Sequence, residues 1–207
     1  MEEVISFTDI LTPEQNFFIC QLLRTTNGWE IAYDQRGEDC NVINDPTYPS
    51  VLEGKFCYTS DSGFVQRTYD YNKPVRNEEF YIELNGLAKL VMKICIKRAK
   101  QNGYHHNAPK LHRIFWNYYS SASHGSLHKD VPEEDTSYTS IVYYLNSTGT
   151  GHGTRVILPG DGEYFYESKE GNAIMFPSNT LHGGTGAPHH KQRWCLNVIC
   201  LLYTSDA

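Results

Sequence analysis

Long apolar runs are missing from this 207-residue chain: none approaches the roughly 18 consecutive apolar residues that a membrane helix needs. An excess of basic charge is missing too. Eighteen Lys and Arg stand against 24 Asp and Glu, a formal charge of −6, whereas proteins that track a phosphate backbone carry a basic surface or stripe. Neither nucleic acid nor a membrane is therefore expected as a partner. The glycine signatures of nucleotide sites, GxGxxG after a strand and the P-loop, do not occur, so dinucleotide and nucleotide-hydrolase readings lose their usual support. Six cysteines are scattered without a CxxC pair, which points to small buried hydrophobes in a reducing compartment rather than a zinc site or a disulfide framework. The opening MEEVISFTDI lacks the charged-then-apolar pattern of a signal peptide. A cytoplasmic protein is expected.

What is present suits one domain spanning 1–207. Forty per cent of the residues are hydrophobic and 20 per cent charged, enough to bury a core without disulfide or metal staples. The segment 1–106 carries two helical stretches. The first opens Thr12-Pro13-Glu14-Gln15, a threonine cap with proline at the first helical position and a glutamine to close a capping box; Phe18, Leu22 and Leu23 follow as its apolar stripe. The second runs from about Asn77 to Gln101, with Phe80, Leu84, Leu87, Val91, Ile94 and Cys95 on one face and Lys97, Arg98 and Lys100 near its end, where they suit the helix dipole. Between them, residues 36–75 are rich in Gly, Asp, Asn, Pro and Tyr and read as loops with a few short strands. Over 107–204 the character changes to short runs (LHRIFWNYY, YTSIVYYLN, GTRVILP, GNAIMFP, RWCLNVICLLY) rich in Ile, Val, Tyr, Trp and Phe and parted by turn residues. Helices first and strands after predict an α+β, mainly β, fold.

Among nine histidines, one pairing carries chemistry. His128-Lys129-Asp130 puts an imidazole and a carboxylate two residues apart, on the same side of an extended segment. His182 closes FPSNTLHGG, just past an apolar strand. Two histidines and one carboxylate on one face leave three positions open on an octahedral ion, the facial triad of non-haem Fe(II) oxygenases. Alone, an HxD pair is equally a loop pair joined by a local hydrogen bond. Arg193 lies on the next strand, and a guanidinium inside an otherwise apolar barrel requires an anion; arginine is also well shaped to hold a carboxylate with two hydrogen bonds. A small dicarboxylate whose other end chelates the iron would satisfy both. Taken by itself, Arg193 reads as a surface arginine in a salt bridge.

The pieces NYYSSASHGSLHKD, SIVYYLN, GHGTRVILP, GNAIMFPSNTLHGG and RWCLNV stand, in that order, between Asn117 and Leu202. In order and spacing this stretch resembles the 2-oxoglutarate- and Fe(II)-dependent dioxygenases, in their prolyl 4-hydroxylase-like branch. The resemblance implies a double-stranded β-helix, or jelly roll, flanked by N-terminal helices. It implies His128, Asp130 and His182 as iron ligands and catalytic centre, with Arg193 and the Tyr144 hydroxyl on the distal carboxylate of 2-oxoglutarate. Tyr118 takes the place of the family's cosubstrate tyrosine; Tyr119, pointing the other way, is its alternative. Thr154 would line the pocket. The implied cofactors are Fe(II), 2-oxoglutarate and O2, with ascorbate as an optional reductant. The implied reaction is hydroxylation of a substrate C–H, with succinate and CO2 released. The family's usual pair of glycines before the threonine is here Gly151-His152-Gly153-Thr154, and His152 reads as an exposed turn residue. Lys191, on the same strand face as Arg193, is a fallback anchor. The remaining histidines read as structural or as loop residues.

The branch implies a prolyl residue of a peptide or protein as substrate. Tyr33, Tyr48, Tyr58, Phe64, Tyr69 and Tyr71 would form an aromatic groove for it, or else simply pack in the core and loops. Two rival readings are the same chemistry on a free amino acid or other small molecule, and a cupin-type metal-binding jelly roll that does not use 2-oxoglutarate. The second leaves YYLN and Arg193 unexplained. Oligomeric state is not legible.

Overall fold

The first helix starts as its capping box requires: the Thr12 N–H donates to Gln15 Oε1 at 2.9 Å and the Gln15 N–H to Thr12 Oγ1 at 3.3 Å. The computed structural model describes residues 4–25, 29–31, 64–70, 73–74, 79–104, 107–120, 127–132, 134–158, 160, 162–189 and 191–203. Helix α1 is Pro13–Thr25 and α2 is Glu79–Gln101. In α2 the expected stripe is the buried face, with Leu84, Val91 and Cys95 fully inside. In α1 the buried positions are Asn16, Ile19 and Leu23, while Phe18 is half exposed. Of the expected stripe Leu23 is fully buried and Leu22 partly so, while Asn16 and Ile19 take the inner positions ahead of them. The Asn16 Oδ1 accepts from the Tyr143 hydroxyl and its Nδ2 lies 3.4 Å from Glu170 Oε1, so a polar residue holds a core position.

The strands are β1 (Ile5–Phe7), β2 (Glu30–Ile31), β3 (Phe64–Asp70), β4 (Lys73–Pro74), β5 (Asn107–Tyr119), β6 (Tyr138–Tyr144), β7 (Gly153–Leu158), β8 (Gly162–Glu167), β9 (Ala173–Pro177), β10 (Leu181–Gly184) and β11 (Arg193–Tyr203). Eight of them form one sheet in the order β1-β9-β6-β11-β5-β3-β2, with β4 on β3; β10-β7-β8 form a second. All pairings are antiparallel, and the fold is a jelly roll with helices against its larger sheet. The five segments expected as strands are β5, β6, β7, β9 and β11. Four elements of the first 106 residues join the larger sheet too; β3 and β4 lie within 36–75, where a few short strands were expected, while β1 and β2 were not anticipated. Three-residue and two-residue strands such as β1 and β2 are too short to show a period of two. Tyr33, Tyr48, Tyr58 and Tyr71 of the expected aromatic groove lie outside the described residues, as do His105, His106, His124 and His190.

Two apolar clusters organise the layers. One joins α1 and α2 to the near face of the larger sheet through Leu84, Val91, Ile114, Trp116, Ile141, Met175, Leu196 and Val198. The other lies between the two sheets and contains Val142, Tyr144, Val156, Leu158, Ile174, Phe176 and Cys195. Alternate residues of the same strands therefore face opposite layers.

Candidate metal centre and anion anchor

The interior between the sheets contains the chemistry. His128 lies just outside a strand, yet its backbone pairs with that of His182 on β10, N–H to carbonyl at 2.8 and 2.9 Å in the two directions. The Asp130 N–H donates to the Ser178 carbonyl at 2.9 Å. These bonds bring a loop and a strand into one site. His128 Nε2 is 3.7 Å from Asp130 Oδ1, and His182 Nε2 is 3.6 Å from Asp130 Oδ2. One ligand atom from each of the three residues lies within 4.8 Å of the others.

Electrostatics suit these atoms to a cation. Burial pushes the His182 imidazole down to about 4, against the pull of Asp130 and with the push of His128, so it is neutral at pH 7. Its Nδ1 is 3.0 Å from the Thr180 carbonyl oxygen. That oxygen can only accept, so Nδ1 carries the proton and Nε2 keeps its lone pair for the site. Burial alone would raise the Asp130 carboxyl, but His182, His128 and the Ser140 hydroxyl hold it well below the usual carboxylate range. An anion, the His182 lone pair and the His128 imidazole converge with 3.6–3.7 Å between the carboxylate oxygens and the ring nitrogens, beyond an ordinary hydrogen bond. The His128 side chain is a third exposed, against under a tenth for the other two, so the site opens on that side.

Arg193 stands deeper on the same interior face, 1% exposed. Its Nη2 donates to Thr154 Oγ1 at 2.9 Å and its Nη1 to the Thr185 carbonyl at 3.0 Å. The guanidinium carbon lies 4.8 Å from the Tyr119 ring centre and 5.6 Å from that of Tyr144. Among the described residues no carboxylate pairs with it, and its Nε has no hydrogen-bond partner. Burial would lower the guanidinium, but Cys195, Tyr119 and Tyr144 around it turn the net shift upward, so it stays a cation. Burial also pushes the Tyr119 hydroxyl up to about 12, and the Tyr144 hydroxyl up as well. Both remain protonated donors beside the cation. A buried cation beside two hydroxyl groups is suited to an anionic ligand.

His128, Asp130, His182, Arg193, Tyr144 and Thr154 all reach this interior; Tyr118 does not. It packs on Trp29 and Trp194, with ring centres 6.5 and 4.7 Å away. The reason is register: across β5 and β11, Tyr119 pairs with Arg193 and Tyr118 with Trp194, so Tyr119 shares the face of the arginine. Lys191 precedes β11 and is exposed, so it is no alternative to Arg193. His152 is half-buried rather than exposed, and its Nδ1 lies 2.8 Å from the Gly186 carbonyl oxygen; it ties the β7 end to the segment that presents Thr185. The glycine pattern also resolves. A Cβ on Gly153 would lie 1.9 Å from the Tyr166 carbonyl oxygen, and one on Gly184 would lie 2.6 Å from Arg193 Nη1 and 3.1 Å from the Tyr119 hydroxyl. Gly153 lets β7 and β8 meet, and Gly184 leaves room for the anchor. Ser140, Ser178, Asn197, Thr180 and Thr185 were not anticipated. Ser140 and Asn197 were within reach of the period-two rule, standing four residues from Tyr144 and Arg193 on their strands.

No protein-family profile matches the chain, and no curated protein matches it by sequence. Solved structures do match in shape. A prolyl-4-hydroxylase from Pseudomonas putida aligns with 99% of this chain and 95% of its own at 12% identity and a TM-score of 0.62. A prolyl hydroxylase from Trichoplax adhaerens, in complex with a hypoxia inducible factor oxygen degradation domain peptide fragment, aligns with 97% of this chain and 84% of its own at 13% identity and a TM-score of 0.64. The epimerase SnoN, in complex with Fe3+, alpha ketoglutarate and nogalamycin RO, aligns with 97% of this chain and 79% of its own at 7% identity and a TM-score of 0.63. The chain has the fold of the 2-oxoglutarate- and Fe(II)-dependent oxygenases, the prolyl 4-hydroxylases among them.

Proposed function

We propose that this chain is an Fe(II)- and 2-oxoglutarate-dependent dioxygenase that hydroxylates a substrate C–H, with a prolyl residue of a peptide or protein as the substrate class. The observation that carries the cosubstrate reading is Arg193, a buried cation in the same interior as the triad that has no carboxylate partner among the described residues. Gly184, which abuts Arg193, is two residues beyond His182 on β10, a strand distance of about 7 Å. A five-carbon dicarboxylate spans such a gap, with one end on the anchor and the other at the triad. A cupin-type site without 2-oxoglutarate leaves this cation unanswered.

His128, Asp130 and His182 would hold the iron, and Arg193, Thr154, Tyr119 and Tyr144 the distal carboxylate. Bound there, iron and 2-oxoglutarate supply oxidative chemistry toward O2 that yields succinate, CO2 and a hydroxylated product. The chain orients. His182 is held in one tautomer by Thr180, Asp130 stays ionised, and the guanidinium and the Tyr119 hydroxyl stand together in a buried pocket beside Tyr144, whose hydroxyl donates to the Tyr166 carbonyl at 3.4 Å. The prolyl reading is supported by the peptide-bound neighbour, and the rival small-molecule reading by SnoN. The four described cysteines are free thiols, which supports a cytoplasmic setting.

Succinate formation from 2-oxoglutarate with Fe(II), with and without a proline-rich peptide, tests this. Peptide-dependent turnover is expected, and Asp130→Ala is expected to abolish it, a loss beyond about 100-fold. Turnover that no peptide stimulates moves the substrate to small molecules. Wild-type turnover by Asp130→Ala removes the triad from the reaction.

A further inference from the structure

Asp130 reaches the interior from a loop, so something other than strand geometry must aim its carboxylate. We infer that Ser140 and Asn197 are positioning residues for Asp130, which together occupy Oδ2 and leave Oδ1 as the metal-facing oxygen; this rests on the metal-site reading above. Ser140 and Ser178 are fully buried. The Ser140 hydroxyl donates to Asp130 Oδ2, and its oxygen lies 2.8 Å from Ser178 Oγ. With its own proton committed to the carboxylate, Ser140 accepts from Ser178. Asn197 Nδ2 donates to the same Oδ2 at 3.4 Å.

A carboxylate oxygen offers about two acceptor sites. Both oxygens lie near a histidine, Oδ2 at 3.6 Å from His182 Nε2 and Oδ1 at 3.7 Å from His128 Nε2, but two donors fill the acceptor sites of Oδ2 and neither is aimed at Oδ1, which keeps its lone pairs. The other end of the Asn197 amide makes the case sharper. Asn197 is 9% exposed, and its Oδ1 is buried with no hydrogen-bond partner among the described residues. An unsatisfied buried carbonyl oxygen is costly, yet turning the amide would set its oxygen against Asp130 Oδ2, which already accepts from Ser140. The fold tolerates an orphan acceptor to keep the Nδ2 donor on Asp130. A carboxylate restrained in this way would offer a metal ion one oxygen rather than two.

Titration of the metal-free full chain with Co(II), a probe that does not turn over, tests the assignment. Ser140→Ala is expected to weaken Co(II) binding about 10-fold. In the infrared difference between loaded and metal-free protein it should narrow the splitting of the carboxylate stretches, the signature of ligation by two oxygens. Ser140→Thr keeps a hydroxyl and should retain wild-type affinity and splitting. Asn197→Leu, similar in size, should lose less than Ser140→Ala because its bond is longer, and it carries the test if Ser140→Ala does not fold. The assignment is overturned if wild type binds Co(II) and the variants match it, or if Ser140→Thr falls as far as Ser140→Ala. A wild type that does not bind Co(II) overturns the metal reading itself, and this inference with it.

Discussion

The two faces of the larger sheet are built from alternate residues of the same strands, and they differ completely in character. Toward the helices, β5, β6, β9 and β11 present Trp116, Ile141, Tyr143, Met175, Leu196 and Val198. Toward the smaller sheet they present Tyr119, Ser140, Tyr144, Arg193 and Asn197, with Phe176 and Cys195 between. A period of two lets one segment satisfy both demands, because a side chain's face depends on its parity along the strand and little else. The helix face supplies the apolar burial that stabilises the sheet. The inner face can then hold a buried cation, an ionised carboxylate and an orphaned amide oxygen, each of which costs stability.

If the faces divide the work in this way, substitutions on them should fail differently. The largest effect falls on the helix face. Trp116→Ala removes a fully buried ring and is expected to cost about 3–5 kcal/mol of stability, read by chemical denaturation, whatever ligand is present. Arg193→Met on the inner face should do the reverse. Its melting temperature should equal or exceed that of wild type, since a buried unpaired charge is replaced by a hydrophobe. Its 2-oxoglutarate requirement should rise about 100-fold, the cost of a lost charged anchor. A destabilised Arg193→Met with unchanged 2-oxoglutarate dependence would show that the two faces share one structural role.

Acid sharpens the contrast further. His182 titrates near 4 in the folded protein against an ordinary 6.5, so between those values the unfolded chain binds more protons than the folded one. Its contribution to stability is complete above about 6.5 and is lost as the pH falls toward 4. Melting temperatures of the metal-free protein should drop across that window, and His182→Gln should flatten the drop. The smallest effect separates adjacent residues. Tyr119→Phe should raise the KM for 2-oxoglutarate several-fold, about the worth of one hydrogen bond, while Tyr118→Phe leaves it unchanged. Equal effects would mean that parity does not assign the face.

Much of this was legible in the residues alone. The capping box fixed the start of α1, and the β-rich runs located β5, β6, β7, β9 and β11. His128, Asp130, His182 and Arg193 stood out through the company they keep, as parts of pieces whose order and spacing resemble a known family; each taken alone has an ordinary structural use. The choice between Tyr118 and Tyr119 was not legible: it depends on which residue of β5 lies opposite Arg193, and strand pairing joins segments that are distant in sequence. The fate of His152 and the exclusion of Lys191 turned on where β7 and β11 begin.

Local chemistry in the sequence by itself determined the order of helices and then strands and the strand-rich character of 107–204, because residue type and near-neighbour spacing encode those directly; the jelly roll and the candidate ligands His128, Asp130 and His182 were implied by the resemblance of the ordered pieces to a family. Only the tertiary structure decided that Tyr119 stands beside the guanidinium, that Gly184 leaves it room, and that Ser140 and Asn197 converge on one oxygen of Asp130. Those are contacts between separate segments, fixed by sheet register and packing, and no run of consecutive residues contains them.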